Sequence, residues 1–339
     1  MNNSVKILIC IPIVLVLIAL GIGVGSTFIA PDKVVSIISN VLFKTQLLET
    51  VTDTDISIVL NLRLIRTLMA FVVGAALAVS GSAMQSVLQN PLASSYTLGV
   101  SAGASLGAGL IIITGASFFS ILTIPVVGMV CGVITVVLTI VIASSFDRNM
   151  QNYTIVLVGM VFSLFLNAVI TILNALFREN MQRLIFWQMG NFSGKKPEEL
   201  LIVFIFSLIG IFLLFIKSRE LDILSFGESQ AFSIGVDVKK SKWFLLVVSS
   251  ALTGVAISFV GIIGFVDLIA PHVVRRIFGS KHSVVLPMSA LFGGVFMIVA
   301  DIISRVILSP IELPVGAITA LSGAPFFVYV FLKRKRVPS

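Results

Sequence analysis

Apolar residues dominate the chain in long stretches separated by short polar breaks, at roughly 7–30, 64–88, 98–114, 121–144, 154–176, 200–216, 243–260, 262–272, 284–303 and 315–332. A helix that crosses the hydrocarbon core needs about 20 mostly apolar residues. The pattern therefore predicts an all-α, polytopic membrane helical bundle of about ten transmembrane helices, organised as one transmembrane domain over 1–339. The stretch at 262–272 is too short to span alone and needs residues on either side. The first stretch follows Lys6 and reads as a retained span rather than a cleaved signal, because the rest of the chain is equally apolar. Residues 31–61 read as a polar loop with a short amphipathic piece, and 217–242 as the longest charged connection.

Composition supports a membrane protein. Of 339 residues, 58% are hydrophobic and 11% charged, against roughly 25% charged in soluble domains. The net charge of +8 does not imply nucleic acid, since Lys and Arg gather in cytoplasmic loops. With the N-terminus inside, fourteen basic residues fall on the cytoplasmic side, including Lys6, Arg148, Lys217, Lys242, Arg275, Lys335 and Arg336. Nine fall outside, among them Arg63, Arg66, Lys195 and Arg305. Both termini are then cytoplasmic.

Cys10 and Cys131 lie in apolar runs and behave as small hydrophobes. His272 and His282 are the only histidines, too few for a multi-histidine metal site. No GxxxxGK[ST] loop is present, so the chain is not expected to hydrolyse ATP, and no catalytic constellation can be assembled.

Several local features carry more than one reading. Gly99, Gly103 and Gly107 put small residues on one helical face, suited to close helix packing or to a pathway wall. Asn90-Pro91 marks a break at a membrane boundary, as an interhelical turn or a gate. The centre of the charged connection, 226–236, mixes apolar and polar residues between two glycines, as a partner-docking helix or a solvated connector would. Asp301 and Arg305 form an i,i+4 pair, which favours structure. Asp267 has no local partner and could sit near an interface, pair with another helix or face the pathway. Gly74, Gly81, Pro91 and Gly99 recur at constant offset as Gly254, Gly261, Pro271 and Gly279, an echo of the kind internal transporter repeats give.

Taken together, Leu62-Arg63-Leu64-Ile65-Arg66, the run from Gly74 to Gly81, Met84-Gln85, Asn90-Pro91-Leu92-Ala93 and the run from Leu98 to Ala104 resemble the FecCD-type permeases. These are the membrane subunits of ABC importers for ferric siderophores, haem and cobalamin. The runs Gly261 to Val266, Pro271 to Arg276, Ala300-Asp301 with Arg305, Glu312 to Gly316 and Gly323 to Phe326 extend the resemblance over nearly the whole chain. It implies the type II ABC importer fold in a bacterial cell (inner) membrane, and a permease subunit that passes a ferric siderophore or similar metal chelate inward. Implied partners are a cytoplasmic ABC ATPase dimer carrying ATP-Mg, an extracellular or periplasmic binding protein, a second permease of the same or a related chain, and membrane lipid. No cofactor is implied on this chain.

By the same similarity, Asn90, Leu92, Gln151 and Asn152 would form cytoplasmic gates. Gly227, Glu228, Ser229, Gln230, Ala231 and Gly235 would couple to the ATPase, and Arg63, Arg66 and Arg305 would meet acidic residues of the binding protein as exposed outer charges. Two positions depart from the family pattern: Ile65 stands where proline is usual, and Asp267 where glycine is usual. The rival class is an ion-coupled secondary transporter that uses Asp267 or Asp301.

Overall fold

A computed structural model describes residues 3–147 and 149–334; Arg148, Lys335 and Arg336 lie outside the described residues. The described chain is helical, with no strand among the described residues. Helices α1 (Asn3–Gly23), α2 (Pro31–Phe43), α3 (Asp53–Ser57) and α4 (Ile65–Val87) are followed by α5 (Val100–Thr114) and α6 (Thr123–Phe146). Then come α7 (Asn152–Leu176), α8 (Arg178–Gln188), α9 (Pro197–Ile216), α10 (Ser218–Ser225) and α11 (Glu228–Ser233). The last four are α12 (Val238–Val260), α13 (Val266–Phe278), α14 (His282–Val306) and α15 (Val315–Arg334).

Among the described residues six segments are long and apolar enough to cross a membrane, and three shorter apolar helices, Cys10–Gly23, Val100–Thr114 and Val315–Val328, add to them. With α13 they make up the ten predicted spans. Helix α4 is the central post, buried along nearly its whole length from Ile65 to Val87. It packs on α9, α12, α13 and α14. Its approach to α14 is set by glycines, since a Cβ on Gly74 would fall 2.2 Å from the Gly293 carbonyl oxygen. Gly103 of α5 sits against Thr135 and Cys131 of α6 in the same way, so the small-residue face serves helix packing. Helices α7 and α9 keep apolar side chains such as Leu164 and Phe212 exposed, as a lipid-facing perimeter requires.

The short run at 262–272 is a broken span. Helix α13 has 13 residues, about 20 Å at 1.5 Å each. That falls short of the hydrocarbon thickness of about 30 Å, and the non-helical residues 261–265, which turn at Gly261 (φ +82°) and Phe265 (φ +70°), continue the span. Irregular backbone survives at that depth only when protein supplies its hydrogen-bond partners. Here the Ile262 amide donates to the Gln188 carbonyl (3.3 Å), the Asn191 amide to the Val260 carbonyl (2.7 Å), and the Tyr96 hydroxyl to the Ile263 carbonyl (2.7 Å). Tyr96 lies in a 3₁₀ turn, Ser95–Leu98, within a second break in α-helical geometry, between α4 and α5. Ser94 of that stretch donates to the Asp267 carboxylate, and Ser95 lies 2.8 Å from Ser80 in the interior of α4. The two interruptions thus complete each other's polar groups.

Proline explains a further contact. Pro271 inside α13 has no N–H for the carbonyl four residues back, that of Asp267. The Gln85 side-chain amide donates to it instead, at 3.3 Å. Gly81 makes room for this approach: its Cβ would lie 1.9 Å from that oxygen.

The internal echo does not match the architecture. Pro91 lies in the turn after α4 and Pro271 inside a helix, while Gly99 precedes α5 and Gly279 follows α13.

Two glycines separate the packing requirement from mere composition. Gly81→Val should lower stability by about 3 kcal/mol or prevent folding, since the overpacked backbone cannot yield. Gly264→Ala, where an added Cβ meets nothing within 4 Å, should leave the thermal midpoint in detergent unchanged.

Candidate functional site

Two polar regions lie at opposite ends of the bundle. One is built from the connection between α9 and α12. Helix α10 turns Leu221 and Leu224 inward, and Gly227 (φ +127°) redirects the chain into α11. Helix α11 buries only Ala231 and leaves Phe232 78% exposed, with Phe226 and Ile234 exposed beside it. Gly235 (φ +87°) ends this short element, and Asp237 caps α12 by accepting the Lys240 amide at 3.1 Å.

Lys242 anchors the region. Its side chain is fully buried, and its ammonium donates to Glu228 Oε1 at 2.7 Å and to the Met150 carbonyl at 2.6 Å. One amine thus joins α11 to the loop before α7. In that loop Asp147 accepts the amides of Asn149 and Gln151, each at 2.9 Å. Those amides, Gln151's first, hold the Asp147 carboxyl below the usual carboxylate range. Gln151, Glu228, Ser229 and Gly235 border a common groove of about 960 Å³. Gln230 is exposed next to it, and Asn152 begins α7.

Asn90 and Leu92 form a separate, exposed corner at the same end. Asn90 Oδ1 accepts the Leu92 amide at 2.9 Å, which fixes the turn around Pro91. The neighbouring Gln89 side chain donates to the Leu224 carbonyl of α10 at 3.0 Å. The four residues expected at gates therefore fall in two groups, each next to a residue linked to the α10–α11 connection: Gln89 directly to Leu224, and Met150 to Glu228 through Lys242.

The opposite end holds the three arginines, and here the expectation of exposed charge is corrected. Arg63, Arg66 and Arg305 are 5%, 7% and 3% exposed. The cause is the C-terminus of α1, whose last carbonyls have no helical donors. Arg63 donates to the Gly23 carbonyl at 2.8 Å and to that of Thr27; Arg305 donates to those of Gly21 and Val24, both at 3.0 Å. Arg66 spans two acids, with Nε 2.8 Å from Asp301 Oδ1 and Nη1 2.8 Å from Glu312 Oε1. Asp301 Oδ2 lies 3.1 Å from Arg305, as the i,i+4 spacing predicts.

These groups border a cavity of about 220 Å³. Arg66 Nη2 is buried with no hydrogen-bond partner among the described residues. Lys195, which the sequence reading only counted as an outer charge, lines the same cavity and donates to the Phe259 carbonyl at 2.6 Å. Burial pushes its ammonium below the usual lysine range, with Glu199 opposing.

Asp267, left open by the sequence, is 2% exposed and lies where the two interrupted spans meet. Among the described residues no group of three or more His, Cys, Asp or Glu side chains could hold a metal ion.

A polytopic helical bundle with interrupted spans, a charged socket at one end and a protruding short helix at the other is the architecture of a transport permease. The chain belongs to the FecCD transport family, which matches residues 13–333. An uncharacterized ABC transporter permease protein of Bacillus subtilis, YvrB, is 39% identical over 282 residues, covering 83% of this chain and 80% of its own. The cobalamin import system permease protein BtuC of Halobacterium salinarum is 35% identical over 289 residues, covering 84% and 76%. A metal-chelate type ABC transporter solved in an inward-facing conformation superposes with a TM-score of 0.82 at 28% identity, covering 97% of this chain and 99% of the other.

Removing Asp301 leaves Arg66 and Arg305 buried without their shared acid. Asp301→Asn should therefore cost about 3 kcal/mol in detergent unfolding. Glu312→Gln, at the partly exposed edge, should cost less than about 1 kcal/mol.

Proposed function

We propose that this chain is the membrane-spanning subunit of an ABC importer that passes a metal chelate, such as a ferric siderophore, into the cytoplasm of a bacterial cell. A separate ATPase dimer drives the cycle. The observation that carries this reading is the exposed apolar surface of α11, where Phe232 and Ile234 protrude from an otherwise charged connection. An apolar knob on a short helix, flanked by Gly227 and Gly235, suits the groove of a partner protein. The end that bears this helix is then cytoplasmic, together with both termini.

Closure of the ATPase subunits would push α11, and Glu228 would carry the movement through Lys242 to the loop holding Gln151 and Asn152. Asn90 and Leu92 would respond through Gln89 and α10. A second permease, the same chain or a paralogue, would complete the central pathway, with lipid against α9 and the rest of the perimeter.

At the outer end, the arginine socket is the surface for the binding protein. Arg63 and Arg305 shape it by capping α1, while Lys195, half-buried in its wall, is the cation placed to meet an incoming carboxylate, with the buried Arg66 Nη2 behind it. Four basic side chains against Glu312 make the cavity attractive to acid. The similarity to a cobalamin import system permease protein, and to a solved structure assigned to the metal-chelate type of ABC transporter, supports the cargo class.

The test uses proteoliposomes holding the permease, its ATPase and a binding protein loaded with ferric siderophore. The Glu228→Ala, Gln230→Ala double variant should continue to hydrolyse ATP while uptake per ATP falls by about tenfold. Unchanged uptake per ATP would remove α11 from coupling.

A further inference from the structure

A chain of side-chain hydrogen bonds runs from the connection that carries α11 to the junction of the two interrupted spans. It starts at Asp222 of α10. Asp222 Oδ1 accepts the backbone amide of His282 at 2.8 Å and lies 2.6 Å from His282 Nδ1. The opposite ring nitrogen, Nε2, is 2.6 Å from Ser86 Oγ near the end of α4. Arg275 of α13 donates to the same hydroxyl at 3.1 Å, and also to the Ser82 carbonyl and to Gln85 Oε1. The Gln85 amide then donates to the Asp267 carbonyl, the acceptor that Pro271 leaves open. Asp267 in turn holds Ser94, two residues beyond Leu92.

Both sides of the imidazole are occupied, and His282 is 1% exposed at the first turn of α14. Capping α14 needs only the backbone bond to Asp222. The ring bond to Ser86 adds nothing to that cap; its effect is to tie α10 and α14 to α4 and α13. Those helices also pack directly on one another, and Gln89 bonds α10 at the Asn90–Leu92 corner; the ring adds a polar, directional link from α10 to the Asp267–Ser94 contact.

We propose that His282 is a positioning residue for gating: its ring transmits displacement of α10 through Ser86, Arg275 and Gln85 to the Asp267–Ser94 contact, and so sets the position of the Asn90–Leu92 corner. This rests on the coupling reading above.

The experiment uses nanodiscs holding the permease with the ATPase that accompanies it. Leu92→Cys is introduced after Cys10→Ser and Cys131→Ser, and its maleimide modification rate is measured with and without ATP-Mg. With His282 and Ser86 intact, ATP should change that rate by about tenfold. His282→Phe, which keeps the bulk and the backbone cap, should reduce the response to less than about twofold while ATP hydrolysis continues. Ser86→Ala, a smaller change, should do the same, and the double variant should lose no more than either single one, as for residues acting in series. A purely structural role would lower the thermal midpoint in proportion and leave the ATP response of the folded fraction intact. A full response in either single variant, or additive losses in the double, overturns the relay. No response with His282 and Ser86 intact, although the ATPase is retained, overturns the coupling reading and the relay together.

Discussion

Backbone groups that leave helical geometry inside a bilayer have no water to bond, and each one left unpaired costs several kcal/mol. Two stretches of this protein, the turn between α4 and α5 and residues 261–265, do leave it. They persist because each serves the other, with Tyr96 on the Ile263 carbonyl and Ser94 on Asp267, and because α4 and the 188–191 segment supply the remaining partners. The rest of the bundle is arranged around that requirement. Helix α4 is buried and rich in small residues because it must admit α13 and α14 closely enough for these bonds to form.

Charge follows the same logic of satisfying what the backbone leaves open. Arg63 and Arg305 are drawn to the end of α1, Lys195 to the end of α12, and Lys242 to the Met150 carbonyl. Each buried cation that answers a carbonyl also links two elements distant in sequence. The link from Lys242 to Glu228 makes a structural anchor into a mechanical connection between α11 and the loop ahead of α7. Buried Arg66, with two acids on one side and a free nitrogen on the other, makes a socket of what would otherwise be an internal salt bridge.

How much of this can be read from sequence depends on how local the cause is. Hydropathy marks the spans because burial in lipid acts residue by residue, and the i,i+4 spacing of Asp301 and Arg305 brings them together on one helix. The broken span at 262–272 looks too short because length is judged at helical rise, and only the structure shows that the non-helical residues 261–265 continue it, held by hydrogen bonds to distant segments. The burial of the arginines is invisible for a related reason: the carbonyls that draw them in belong to α1, up to 284 positions away. Asp222, His282 and Ser86 likewise meet across 60 and 196 positions. One signal was available, since His282 is a lone histidine in the first turn of an apolar helix, but nothing local names its partners.

The central claim is that this permease works as part of an ATP-driven complex assembled on α11. Its most direct test is mild-detergent affinity purification from the native membrane with mass spectrometry of the retained proteins, alongside the Phe232→Asp variant. The account predicts that a nucleotide-binding ATPase accompanies the unaltered permease and is lost from the variant, while a binding protein held at the arginine socket remains. Recovery without any ATPase, under conditions that keep other ABC complexes intact, would contradict it and would turn attention to ion coupling through Asp267.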